Sequence, residues 1–364
     1  MMIDLIAGAR PNFMKISPII NAIKSAQLDG ENIEYRLVHT GQHYDENMSG
    51  SFFKQLDIPL PEINLDAGGG TQAKQTAKIM IGYEDLLAHE VPDFCLVVGD
   101  VTSTMACSIV AKKMGIKVIH IEAGIRSGDL TMPEEINRIV TDSIADYFFT
   151  TSETANNNLL KSGVSEDQIF YVGNTMIDTL LKQRPNFRKP FFWEKVGLQK
   201  REYIVMTLHR PANVDEETII KEIIREIIKN ANNLPIIFPV HPRTAKQFVS
   251  LDISSPNLHM VEPLGYLEFN YLVERAKGVI TDSGGITEET TVMKIPCMTL
   301  RDNTERPETI NLGTNELLGT DPKAIAPAMS KLFLGKWKKG SIPHLWDGKT
   351  SERIVQHLLS FWTN

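Results

Sequence analysis

Cysteine is scarce in this chain. Cys95, Cys107 and Cys297 are the three among 364 residues. They are odd in number and far apart, outside any C-x-x-C or Cys/His cluster, which suits a reducing compartment and argues against a structural metal. Core packing is their expected role. Long apolar runs are also missing, since none approaches the roughly 20 residues that cross a bilayer. The first apolar run contains Asp4, where a secretory leader would begin with basic residues. A cytoplasmic location without a membrane partner is therefore expected. Basic runs are lacking too, and the net charge of −7 is spread along the chain. With no electrostatic footprint for nucleic acid, no nucleic-acid partner is expected, and a phosphate ligand would have to be held by local groups.

What is present is ordinary globular composition, 42% hydrophobic and 23% charged, in a chain long enough for two cores. The opening reads as a strand, Ile3–Ala7, a loop Gly8-Ala9-Arg10-Pro11, and a helix through Ile16, Ile19, Ile20 and Ile23. Strand-like runs recur at Tyr35–Thr40, Phe94–Val98, Lys117–Ile121 and Tyr147–Thr150, each leading toward a helical pattern. This alternation predicts a parallel sheet with helices on both faces. After Arg184–Lys200, rich in proline, aromatic and basic residues, the rhythm restarts at Tyr203–Leu208, Ile236–Val240, His259–Val261, Gly278–Thr281 and Cys297–Leu300. The prediction is an α/β protein of two doubly wound Rossmann-type domains, 1–170 and 171–349, with a ligand cleft at the carboxyl ends of their strands.

The polar signatures fall at those strand ends. Thr281-Asp282-Ser283-Gly284-Gly285 leaves a strand and opens a helix, so its N–H groups could cradle a diphosphate; a simple helix-capping turn fits the pattern equally well. Glu289, further into that helix, is placed to accept from vicinal ribose hydroxyls. Arg10 and Lys15 put two cations at a helix start, where they oppose the dipole unless an anion sits there; pairing of Arg10 and solvation of Lys15 are the alternative. Asp100, after Phe94–Val98, fits an N-cap by itself. Glu122 ends the next strand, and Glu134 and Glu135 follow Pro133 at a helix start, an arrangement the dipole favours without any function. His209-Arg210 and His241-Pro242-Arg243 each follow a strand of the second half. Arg301–Glu308 is dense in charge, and a solvated, internally paired loop accounts for it.

Taken in order, GARPNFMK (8–15), TGQH (40–43), GDVTST (99–104), EAGIRSGD (122–129), MPEEINR (132–138), GNTMID (173–178), LHRPANVD (208–215), TDSGGITEE (281–289) and RDNTERPE (301–308) resemble the non-hydrolysing UDP-N-acetylglucosamine 2-epimerases over almost the whole chain. The resemblance implies a GT-B-like fold, a homodimer, and a final helix, about 350–364, that packs back on the first domain. It implies that Ser283, Gly284, Gly285 and Glu289 hold UDP with Arg10, His209, His241 and Arg306. Asp100, Glu122 and Glu134 match the family's catalytic carboxylates, and Lys15 and His209 match groups near the reacting sugar and diphosphate. The implied partner is a UDP-sugar, and neither a metal nor another cofactor is called for.

The implied reaction removes UDP across C1–C2 in an anti elimination, giving 2-acetamidoglucal, and adds it back syn with the opposite configuration at C2. One carboxylate takes the C2 proton and another returns a proton on the other face, while cations stabilise the departing diphosphate. Two variants share the fold: an epimerase of a UDP-2,3-diacetamido uronic acid, and a hydrolysing relative that releases N-acetylmannosamine. A GT-B glycosyltransferase is the reading from another class, and the group of acids in the first half speaks against it.

Overall fold

Phe-Cys-Leu-Val-Val at 94–98 is buried at all five positions, the mark of a parallel strand covered on both faces. A computed structural model describes residues 1–41, 53, 58–214, 216–240 and 255–363, and this run is a central strand in it. The strands of the first sheet are β1 (Met2–Ala7), β2 (Glu34–His39), β3 (Ile63–Asn64), β4 (Phe94–Val98), β5 (Lys117–Ile121), β6 (Tyr147–Thr150) and β7 (Ile169–Tyr171). They pair in parallel in the order β3-β2-β1-β4-β5-β6-β7. The second sheet has β8 (Ile204–Thr207), β9 (Ile236–Pro239), β10 (Leu258–Val261), β11 (Gly278–Thr281), β12 (Cys297–Thr299) and β13 (Asn315–Leu317). Its order is β10-β9-β8-β11-β12-β13, again parallel.

Each sheet runs outward from its first strand in one direction and then resumes on that strand's other side. The reversal falls between β1 and β4 and between β8 and β11, which is where doubly wound sheets open a crevice at their carboxyl ends. The chain is thus α/β with two Rossmann-like sheets, a GT-B-like fold.

Contacts divide the chain into Met1–Lys182 with His344–Asn364, and Gln183–Pro343. The expected limits were 170 and 349. The helix Thr175–Gln183 is tied into the first unit by Thr179, whose hydroxyl donates to the Met14 carbonyl at 2.5 Å, and by Asp178. Asp178 accepts from the backbone N–H groups of Thr350 (3.1 Å) and Ser351 (2.7 Å), capping the helix Thr350–Thr363. Trp346, fully buried, donates to the Thr151 carbonyl. The final helix packs on the helix Arg10–Leu28.

Helical spacing fixes what each unit buries. In Arg10–Leu28 the fully buried side chains include Ile16, Ile19, Ile20 and Ile23, as the sequence spacing predicts. In Glu217–Asn230, Ile220, Ile223, Ile224 and Ile227 form the stripe that meets β8, β9 and β11. Truncating one of these to alanine would cost about 2–5 kcal/mol. Edge strands β3, β7 and β13 escaped the sequence reading because runs of two or three residues carry no period.

Candidate active site

In the first unit, polar groups gather where β1, β4 and β5 end. Glu122 follows β5 with its backbone in the left-handed region, φ 66°, an uncommon conformation for a residue with a Cβ. Its Oε2 accepts from Lys15 Nζ at 2.6 Å, and both side chains are largely buried, 3% and 13% exposed. Lys15 stands on the second turn of Arg10–Leu28, so that helix delivers the cation to the strand end. Gly99 follows β4 at φ 71°. A Cβ there would stand 3.3 Å from Lys15 Nζ and 3.7 Å from Glu122 Oε2, wedged against the ion pair. Asn12, buried, clasps the loops from below: its Oδ1 accepts from Ala9 N at 2.9 Å, and its Nδ2 donates to the Val98 carbonyl at 2.9 Å.

Asp100 is not an N-cap. The capping position of Thr102–Lys113 is Val101, and Asp100 pairs instead with Arg138 Nη2. Arg138 also donates to Glu135 Oε2 at 2.8 Å, and Glu135 accepts from Ser127 N (2.9 Å) and Gly128 N (3.0 Å). Burial opposes the Glu135 charge, but these donors outweigh it and leave its pKa below the ordinary value. Asp100 is about a quarter exposed, its side chain at 28%. Glu134 is exposed at the start of Pro133–Ile144.

Beneath these loops lies a buried pair. His120 Nδ1 is 2.6 Å from Asp142 Oδ1, and His120 Nε2 is 2.8 Å from the Gly99 carbonyl oxygen. Asp142 Oδ2 accepts from Arg126 Nη1 at 2.6 Å and from Gly124 N at 3.0 Å. Burial raises the Asp142 pKa, yet the charges and hydrogen bonds of His120 and Arg126 more than offset it, so the net shift is downward.

In the second unit the organiser is Asp282, fully buried at the end of β11. It accepts from the backbone N–H groups of His209 (3.0 Å) and Arg210 (2.9 Å), from Asn213 Nδ2 (3.1 Å), and pairs with His209 Nδ1 (2.7 Å). Burial works against its charge, but the His209 ring and the N–H donors prevail and hold its pKa at about 2. The His209 ring is 62% exposed, anchored through Nδ1 and presenting its other edge outward. Beside it the helix Gly284–Met293 starts without an acid in its first turn and without a side-chain cap from Ser283. Such a start leaves N–H groups and the positive dipole end for an external anion. A Cβ on Gly284 would come within 2.6 Å of Glu305 Oε1, whereas nothing lies within 4 Å of one on Gly285.

Glu289 is buried. Burial raises its pKa to about 7, only partly offset by hydrogen bonds from Tyr266 Oη (2.8 Å) and Asn270 Nδ2 (3.4 Å). Arg306 is buried too, its Nε donating to Glu288 Oε1 at 2.7 Å, and Arg301 binds Glu305 at 2.6 Å. The charged stretch 301–308 is thus internally paired through Arg301 and Glu305, but Arg301, Arg306 and Glu308 are buried rather than solvated, and Arg306 pairs outside the stretch with Glu288. His241, His43 and the side chain of Arg10 lie outside the described residues. Among the described residues no cluster of three His, Cys, Asp or Glu is placed to hold a metal, and no helix is long and apolar enough to cross a membrane.

Sequence reasoning overlooked Asp282, Asp142, His120, Arg138 and Asn12 as parts of these clusters. Asp282 carried a signal, an acid directly after an apolar strand and before Ser-Gly-Gly. His120 carried none, since a histidine within a strand reads as a core residue.

Two doubly wound units, one ending in acids beside a cation and the other in a glycine-opened helix with a buried aspartate, define a GT-B-like enzyme whose candidate site groups lie at its strand ends. The family model described as UDP-N-acetylglucosamine 2-epimerase matches residues 26–359. The chain belongs to that family. The UDP-N-acetylglucosamine 2-epimerase of Methanocaldococcus jannaschii is 41% identical over 369 residues, covering 98% of this chain and 99% of the relative. The crystal structure of the M. jannaschii enzyme in complex with UDP-GlcNAc and UDP superposes with a TM-score of 0.86, covering 99% of this chain and 100% of that one at 41% identity. The UDP-2,3-diacetamido-2,3-dideoxy-D-glucuronate 2-epimerase of Pseudomonas aeruginosa is 37% identical, covering 98% of this chain and 99% of the relative.

Proposed function

We propose that this chain interconverts UDP-N-acetylglucosamine and UDP-N-acetylmannosamine by eliminating and re-adding UDP across C1–C2. The observation that carries the reading is the Glu122–Lys15 pair at 2.6 Å, with Asp100 at the end of the neighbouring strand: acids and a cation meet where the first sheet reverses. Membership of the family supplies the substrate class.

The reading assigns Asp100, Glu122 and Glu134 collectively to the two proton transfers at C2. In the forward direction one carboxylate takes the C2 proton as the C1–O bond breaks; its electron pair leaves with UDP, and C1=C2 forms. In the return step another proton reaches C2 from the opposite face as a diphosphate oxygen re-forms the bond to C1, so no net proton or electron is consumed. Lys15, paired with Glu122, is in this reading the cation that stabilises charge developing on the leaving diphosphate. In the second unit the N–H groups of Gly284 and Gly285 receive the diphosphate, His209 approaches it from its anchor on Asp282, and Glu289 takes the ribose. Arg10, His241, Ser283 and Arg306 complete the UDP-binding set in this reading. The enzyme is a cytoplasmic homodimer in the same reading, and a monomer by light scattering would reject that assembly.

Proton NMR in deuterium oxide tests the function. Deuterium at C2 together with conversion of UDP-N-acetylglucosamine to its manno epimer is the expected result. Free N-acetylmannosamine and UDP would replace epimerisation with hydrolysis. The P. aeruginosa relative favours a second substrate to run beside the first, the 2,3-diacetamido glucuronate. Turnover of that sugar alone would move the substrate assignment to it.

A further inference from the structure

We propose that His120 and Asp142 form the positioning device that sets Asp100 and Glu122 against each other, so that His120 governs turnover without touching substrate. The inference rests on the epimerase reading and adds to it a residue pair that reading leaves without a role. One buried carboxylate reaches both acid-bearing loops. Through Oδ2, Asp142 accepts from Gly124 N, two residues beyond Glu122, in the turn where Glu122 holds a left-handed backbone. Through Oδ1 and the His120 ring it reaches the Gly99 carbonyl, which directly precedes Asp100. Gly99 also sits under the Lys15–Glu122 pair, so a shift of its carbonyl moves the floor of the whole cluster.

The chemistry of the ring follows from its neighbours. A backbone carbonyl can only accept, and an ionised carboxylate can only accept. Each nitrogen of His120 faces such an acceptor, at 2.8 Å and 2.6 Å, and the ring is completely buried. A neutral ring would turn a lone pair toward one of those oxygens, so the arrangement calls for hydrogen on both nitrogens. The charged groups facing the pair are Asp142 itself and Arg126, which pairs with Asp142 Oδ2 at 2.6 Å. The ring thus bridges Asp142 to the Gly99 carbonyl, while Asp142 also holds the Arg126 guanidinium. Strand-end carboxylates that must work on opposite faces of one carbon gain from this kind of anchoring, because a displacement of about 1 Å can cost about 10²-fold in rate.

Substitutions that separate the two ring contacts provide the test. Glutamine extends an amide nitrogen toward the place of Nε2 and can still donate to the Gly99 carbonyl; phenylalanine keeps the ring volume and donates to nothing. For His120→Phe the expected result is a kcat lowered about 10²-fold, with UDP affinity and KM within about threefold of wild type. His120→Gln should recover at least about tenfold of that loss. Equal kcat in His120→Phe and wild type would overturn the proposal, as would a loss confined to KM. Nitrogen-15 spectra of histidine-labelled wild-type protein at neutral pH give a second readout that needs no variant to fold. A buried ring with both nitrogens protonated is expected, and the absence of such a ring would overturn the assignment. A wild-type enzyme that fails to exchange the C2 proton would instead count against the epimerase reading, leaving the nitrogen spectra to judge the pair.

Discussion

Gly285 offers a perturbation in which stability and binding should move in opposite directions. It lies in the first turn of the helix Gly284–Met293, and nothing is within 4 Å of the position a Cβ would take. Replacing glycine by alanine at an unobstructed helical position stabilises by up to about 1 kcal/mol, through reduced unfolded-chain entropy and better helix propensity. For a unit the size of Gln183–Pro343 that corresponds to a rise in Tm of about 2–4 °C. If the first-turn N–H groups receive a diphosphate, the added methyl occupies the approach, and UDP should bind about tenfold more weakly or worse, about 1.4 kcal/mol. Differential scanning calorimetry and titration calorimetry with UDP read the two effects on one sample. Gly284→Ala is the contrasting case. Its Cβ would meet Glu305 Oε1 at 2.6 Å, and Arg301 holds that carboxylate in place, so a loss of about 1–3 kcal/mol is expected. A Gly285→Ala protein that binds UDP as tightly as wild type would refute the cradle. One that is markedly less stable would refute the claim that the space is open.

Three further outcomes follow from the same geometry. Glu122→Gln should retain UDP binding and lose about 10²–10⁴ in turnover, as removal of a general acid–base does; wild-type rates in a stopped assay would remove Glu122 from the proton transfers. Glu289, with a native pKa of about 7 against an ordinary 4.5, binds its proton more tightly folded than unfolded, so its ionisation lowers stability progressively as pH rises through that window. Urea midpoints of Glu289→Gln relative to wild type should therefore move in the variant's favour between about pH 4.5 and about pH 7, by up to about 3 kcal/mol, and level off above. A difference independent of pH would contradict the burial argument. Asp178→Ala removes both N–H acceptor contacts at the start of Thr350–Thr363 and should cost about 1–2 kcal/mol. Hydrogen exchange should show faster opening of that helix, and unchanged protection would mean the cap contributes nothing.

Much of the candidate site was legible because doubly wound sheets place function at strand ends, and strand ends are visible as apolar runs meeting polar residues. Lys15, Asp100 and Glu122 fall there, and two of them form an ion pair. The local alternatives were not resolvable from sequence. Asp100 has the position of a helix cap, and only the location of Arg138, 38 residues away, shows that it is a salt-bridge partner instead. Nothing in the sequence beside Arg306 points to Glu288, which the fold brings to within 2.7 Å of it.

The sequence by itself determined the alternation of strands and helices, the stripes of isoleucine that face each core, and the list of acids and cations at the loops. Those features depend on periodicity and on neighbours a few residues apart, which a linear reading contains. Tertiary structure decided which charges meet: Lys15 with Glu122 across 107 positions, Asp282 with His209 across 73, and Asp178 with the final helix across more than 170. It also decided that His120 lies beneath the acids, since a buried polar group is defined by the partners that satisfy it, and chain closure alone selects those partners.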